Sequence, residues 1–171
     1  MADDAPNQDH VDRLRAQWAR ELPDLDTTPM AVLGRAYRLA NLVRPSIEAT
    51  FAGFDLDRGE FDVLSSLRRA GAPFRLTPTE LYRALMIASG SLTHRLGRLE
   101  KAGLIQRIPS DSDGRSLAVE LTEPGRVLVE TAFRADMASE MRFLAPLSED
   151  ELETLSALLR KLNRGIENAG S

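Results

Sequence analysis

The chain has no cysteine among its 171 residues, which excludes disulfides, thiol redox sensing and cysteine–zinc sites. Its two histidines, His10 and His94, lie far apart in sequence, so a metal site of several imidazoles is not expected. No apolar run approaches the length needed to cross a bilayer. The first residues are acidic and polar, unlike a signal peptide. There is no internal repeat, low-complexity tract, phosphate-cradling glycine loop or nucleophile–base pair. The carboxylates available to an enzyme have plainer readings. Asp111 and Asp113 sit at a turn, and Glu149, Asp150 and Glu151 open a helix, where acids oppose the macrodipole. These absences lead to the expectation of a cytoplasmic protein of one domain, with or without an extension, that uses no metal, cofactor or membrane and is not an enzyme.

What is present is an ordinary globular composition, 43% hydrophobic and 28% charged, with charge unevenly placed. The net charge is −4. Between Pro73 and Ser116, however, seven basic residues (Arg75, Arg83, Arg95, Arg98, Lys101, Arg107, Arg115) face four acids, giving +3 and leaving −7 elsewhere. A basic patch on an acidic body favours one docking orientation on a polyanion and weakens indiscriminate binding. A mixed solvated surface gives the same count, so charge alone does not decide.

Periodicity supplies the order of elements. Residues 1–8 read as a loose start. A helix is expected over 10–21, with Val11, Leu14, Trp18 and Leu22 on one face. Thr28 and Pro29 are read as cap and first turn of a second helix running to Phe51, with Leu33, Tyr37, Ala40, Ile47 and Phe51 on one stripe and Pro45 as a kink or early stop. Asp57 caps a third helix whose Phe61, Leu64 and Leu67 face inward, and Gly71 to Pro73 end it. Thr77 and Glu80 have capping-box spacing around Pro78. Ser89 caps a helix that stops near Gly103. Two short strands over 104–109 and 117–121 are joined by a turn carrying Asp-Ser-Asp-Gly. Thr122 opens a long helix to about Leu144, Pro146 ends it, and Ser148 with Glu151 forms another capping box. The last helix places Leu152, Leu155, Leu159, Leu162 and Ile166 at heptad steps, a seam suited to burial against another helix. The expected fold is mainly α with a small β-hairpin: a winged helix-turn-helix lobe plus a helical dimerisation region.

The helix over 89–102 carries the chemistry. Leu92, Leu96 and Leu99 anchor one side, while Ser91, Thr93, His94, Arg95 and Arg98 lie away from it. Hydroxyls at a helix N-terminus suit phosphates, and histidine and arginine reach base edges in a major groove. A solvated amphipathic helix would show the same two faces. At the turn, Arg115 is positioned for a narrow minor groove, with Asp111 or Asp113 to hold it.

With these residues in place, the chain resembles the MarR family over roughly 28–162. The matching motifs are Glu60-Phe-Asp-Val-Leu64 with Leu67, the run from Gly90 to Ile105, Arg107, the wing from Asp111 to Arg115, and Leu121-Thr-Glu-Pro-Gly125. The segment from Trp18 to Met30 is similar to the PecS-like, urate-responsive branch, which adds an N-terminal helix. Phe61 stands where many relatives have tryptophan.

The resemblance implies a homodimer that binds a pseudo-palindromic double-stranded DNA operator, most simply as a repressor, and is released by a small anionic or aromatic effector such as urate. It divides the chain into an extension (1–27), a dimerisation helix and linker (28–56), the winged lobe (57–121) and C-terminal dimerisation helices (122–171). The DNA contacts it implies are Thr77, Ser89, Ser91, Thr93, His94, Arg95, Arg98, Arg107 and Arg115; the effector residues are Trp18, Asp62 and Arg95. A carboxylate in an apolar run, as Asp62 is, needs a cationic or hydrogen-bonding partner, which suits sensing or a purely structural pairing. Trp18 suits stacking on a ligand or packing in an apolar interface. The alternatives are response to phenolic compounds, or a winged helix used only for protein contacts.

Overall fold

The computed structural model describes residues 8–85, 92–109 and 117–169. The chain divides into two compact units, Met1–Pro45 and Ser46–Ser171. The expected loose start falls almost wholly outside the described residues.

In the first unit, α1 (His10–Glu21) begins at Asp9, whose carboxylate accepts the Asp12 N–H while Asp12 returns the bond, closing a capping box. Arg35 staples that box with ion pairs of 2.8 Å to Asp9 and 2.7 Å to Asp12. The guanidinium holds the Asp9 carboxyl well below the usual carboxylate range. The next helix opens one residue earlier than expected, because the Thr27 carbonyl takes the Met30 and Ala31 N–H groups. It includes a π-helical turn (Met30–Gly34) and continues as α2 (Arg35–Ala52), with Pro45 inside the helix. The expected apolar stripe is buried only at Ile47 and Phe51; Leu33 and Tyr37 are exposed. Trp18 on α1 and Leu22 at its C-cap are also exposed, and only Val11 of that face is buried.

The second unit holds the core. The α3 helix (Arg58–Arg69) has Asp57 as N-cap and Glu60 closing the box. Val63, Leu64 and Leu67 on α3 are fully buried, and Phe61 is half-buried, stacked 4.0 Å from Phe51. Burial of each such leucine contributes about 1.5–3 kcal/mol. A strand too short to be expected, β1 (Arg75–Leu76), follows the turn. Then come α4 (Pro78–Ala84), capped by Thr77, and α5 (Leu92–Lys101). Strands β2 (Ile105–Pro109) and β3 (Leu117–Leu121) complete an antiparallel sheet of order β1-β3-β2, with Arg107 opposite Val119 and Arg75 opposite Glu120.

The α6 helix (Glu123–Leu144) leaves the sheet through Thr122, whose hydroxyl donates to the Gly103 carbonyl (2.7 Å) and accepts the Gly125 N–H. A β-carbon on Gly125 would collide with the Leu104 carbonyl, so glycine is what lets α6 start against the lobe. Ser148 and Glu151 cap α7 (Glu149–Ala169), as expected. No residue of α7 is buried. The order of helices and strands is that of a winged helix-turn-helix carrying long flanking helices. Among the described residues no helix is long and apolar enough to cross a membrane.

Candidate nucleic-acid interface

The α5 helix is seated by Leu96 and Leu99, both buried in the lobe. This fixes which way its other residues point. Thr93 and His94 are exposed at its N-terminal end. Arg98, one turn on, has 54% of its side chain exposed. Arg95 differs from expectation. Only 16% of its side chain is exposed, and it lies over the start of α3, 3.9 Å from the Asp57 carboxylate. A β-carbon on Gly59 would collide with its guanidinium, so Gly59 provides the notch it occupies.

Arg98 pairs with Glu60, Nε to Oε1, at 2.9 Å. The other Glu60 oxygen accepts the Asp57 N–H at 2.9 Å, and Asp57 accepts the Glu60 N–H at 2.7 Å. One buried carboxylate thus closes the α3 cap and grips α5. The Asp57-to-Glu60 spacing was a visible signal of this, but it marks a cap; nothing in it points to an arginine on another helix.

The remaining expected contacts scatter. Thr77 spends its hydroxyl and N–H on Glu80, and Arg107 on β2 pairs with Glu100 at 3.1 Å. Arg75 pairs with Glu120 at 2.7 Å, and that guanidinium, ahead of Gln106, lowers the Glu120 carboxyl below its ordinary range. Several of the basic residues counted between 73 and 116 are therefore partly neutralised by the protein itself. Ser89, Ser91 and Arg115, with Asp111 and Asp113, lie outside the described residues.

Of the expected effector residues, Asp62 is buried on α3 and Trp18 is half exposed on α1 in the other unit. The structure shows a feature the sequence reading missed. A cavity of about 770 Å³ lies between α3 and α6, lined by Arg68, Arg69, Phe133, Arg134 and Met137 among others. Arg68 is held by Glu130 at 2.7 Å and stands over the Phe74 ring. The sequence signal was faint: Phe133 and Met137, one helical turn apart, read simply as an apolar stripe.

A lobe of this shape, with a seated helix presenting exposed Thr93 and His94, invites comparison with known proteins. The sequence profile of the MarR family matches residues 54–116. The chain is 39% identical over 152 residues to the HTH-type transcriptional regulator PecS of Dickeya dadantii, covering 89% of this chain and 92% of that one. The chain belongs to the MarR family. It is also 33% identical over 132 residues to the multiple antibiotic resistance protein MarR of Salmonella typhimurium, 76% of this chain and 90% of that one. Among solved structures, a mutant MarR from E. coli complexed with operator DNA superposes with a TM-score of 0.66 at 29% identity, covering 81% of this chain and 99% of that one. The MarR-family proteins matched here are transcriptional regulators rather than enzymes, and the winged-helix expectation stands.

Proposed function

We propose that the protein represses transcription by binding a pseudo-palindromic operator as a homodimer and is released by a small aromatic anion, urate being the first to test. The observation that carries the DNA part is the seating of α5: Leu96 and Leu99 buried, Thr93 and His94 exposed on the opposite edge, and Arg98 half out. The α5 helix enters a major groove in each half-site, with centres roughly 34–36 Å apart. Thr93, His94 and Arg98 meet the DNA there, with Ser89 and Ser91 at the helix start, Thr77 and Arg107 at the margin and Arg115 in the flanking minor groove. The MarR of E. coli solved with operator DNA supports the reading.

The dimer rests on α7, whose leucine face is left uncovered by the described residues of the single chain. The effector rests on two features. Asp62, buried on α3, is a carboxylate that an incoming anion repels. The α3–α6 cavity offers Arg68, Arg69 and Arg134 for the anion and Phe133 and Met137 for a ring. Trp18 and Arg95 complete the proposed set. To release DNA, the effector must bind the DNA-incompetent form more tightly, and tenfold release needs about 1.4 kcal/mol of coupling.

A gel shift with DNA flanking the protein's own gene, titrated with urate, tests both parts. Wild type is expected to bind and to release with urate, and Asp62→Asn to bind but release poorly. A wild-type complex that survives millimolar urate removes urate; the absence of a complex removes the DNA reading.

A further inference from the structure

We propose that Glu60 is a positioning residue for DNA recognition: it holds the Arg98 guanidinium at Nε, which fixes how this half-exposed side chain is presented to the DNA. The inference rests on the DNA reading of α5 given above.

The geometry is asymmetric in a useful way. The Glu60 side chain is 3% exposed, and that of Arg98 is 54% exposed. The acid is therefore fixed inside the lobe while the arginine emerges from it. Glu60 is fixed twice, because its Oε2 is already committed to the Asp57 N–H and its own N–H to the Asp57 carboxylate. A carboxylate with one oxygen locked in a helix cap has little freedom to rotate. Its second oxygen offers one direction of approach, and Arg98 Nε takes it at 2.9 Å. A guanidinium is planar, with its donors in a rigid fork, so gripping the Nε edge also sets where the other nitrogens face. Nη1 stands 3.9 Å from the Asp57 carboxylate, a second and weaker guide. Arg98 would otherwise be a long side chain with several rotatable bonds, and ordering it on contact with DNA would cost affinity. Glu60 makes that ordering before DNA arrives.

Two simpler roles for Glu60 predict something else. If it were only a cap, its loss would weaken binding by the same factor whatever stood at position 98. If it competed with DNA for Arg98, its loss would tighten binding.

The test is operator affinity for wild type, Glu60→Ala, Glu60→Gln, Arg98→Ala and the doubles, with a melting temperature for each. Charged hydrogen bonds of this kind are worth roughly tenfold in binding. Glu60→Ala and Arg98→Ala are each expected to weaken operator binding about tenfold, and their double to be no more than about twofold worse than either, the non-additivity of a coupled pair. Glu60→Gln keeps an acceptor on the same stem and is expected to recover most of the loss. Should Glu60→Ala fail to fold, Glu60→Gln carries the test, with a loss of about threefold beside Arg98 and none in the Arg98→Ala background. Additive losses, or tighter binding by either Glu60 variant, overturn the inference while leaving the DNA reading intact. A wild-type protein that binds no operator overturns both.

Discussion

The winged lobe and the last helix are both rich in leucine, and the chain treats them in opposite ways. In the lobe, Leu64, Leu67, Leu81 and Leu99 are almost wholly buried. On α7, Leu155, Leu158, Leu159, Leu162 and Ile166 are all exposed, over a helix of 21 residues. The lobe's leucines come from α3, α4 and α5, and they close on each other and the sheet. Leu152, Leu155, Leu159, Leu162 and Ile166 fall at heptad steps with Leu158 beside them, the pattern of a helix that packs against another helix. One region carries its own core and the other is left exposed among the described residues, which is the physical basis for proposing the homodimer.

The largest effect that would break this comparison comes from charging the α7 seam. Leu159→Glu with Leu162→Glu places four charges in the proposed dimer and forfeits about 6 kcal/mol of apolar burial. Sedimentation should then show a folded monomer, and operator affinity should fall by more than about a hundredfold. A dimer that persists would place the interface elsewhere. In the lobe, Leu64→Ala opens a cavity and should lower stability by about 2–5 kcal/mol in chemical denaturation, while Leu158→Ala on the monomeric background should change it by less than about 0.5 kcal/mol.

A finer contrast lies on α6, which carries Asp136. The residue is 5% exposed, and among the described residues Oδ1 has no hydrogen-bond partner. Burial, aided by Glu140 and opposed by Arg58, pushes its carboxyl up to about 6 from 3.8. The folded state therefore binds a proton more readily than the unfolded chain. This group's stabilisation is greatest below about pH 4 and is lost as pH rises through about 6. Asp136→Asn should raise the stability at pH 7.5, by at most about 3 kcal/mol, and flatten the pH dependence between 4 and 6. Melting curves that run parallel for wild type and variant across that range would show that Asp136 is not the group responsible.

Much of the fold was legible because its signals are local. The α1 boundaries, the Thr122 start and Leu144 end of α6, and the Thr77 and Ser148 boxes follow from caps and periodicity within a few residues. What escaped depends on distant partners or on length. The β1 strand has two residues and exists because Glu120 on β3 pairs with Arg75. The stripe of Leu33 and Tyr37 is apolar, but periodicity states a face and not whether the same chain covers it. Arg95 was placed outward with Thr93 and His94. Its actual direction depends on a notch at Gly59, 36 positions earlier, which no helical periodicity reports. The cavity proposed for the effector was harder still to read, since it gathers arginines from α3 and α6, two helices more than fifty positions apart.

The central claim is that the exposed edge of α5 reads bases. The direct measurement is the ratio of operator to random-DNA affinity for wild type and His94→Ala at one fixed salt concentration. The account predicts that the ratio falls by about 1–3 kcal/mol in the variant, with affinity for random DNA nearly unchanged. An unchanged ratio, whether both affinities fall together or neither moves, would contradict it.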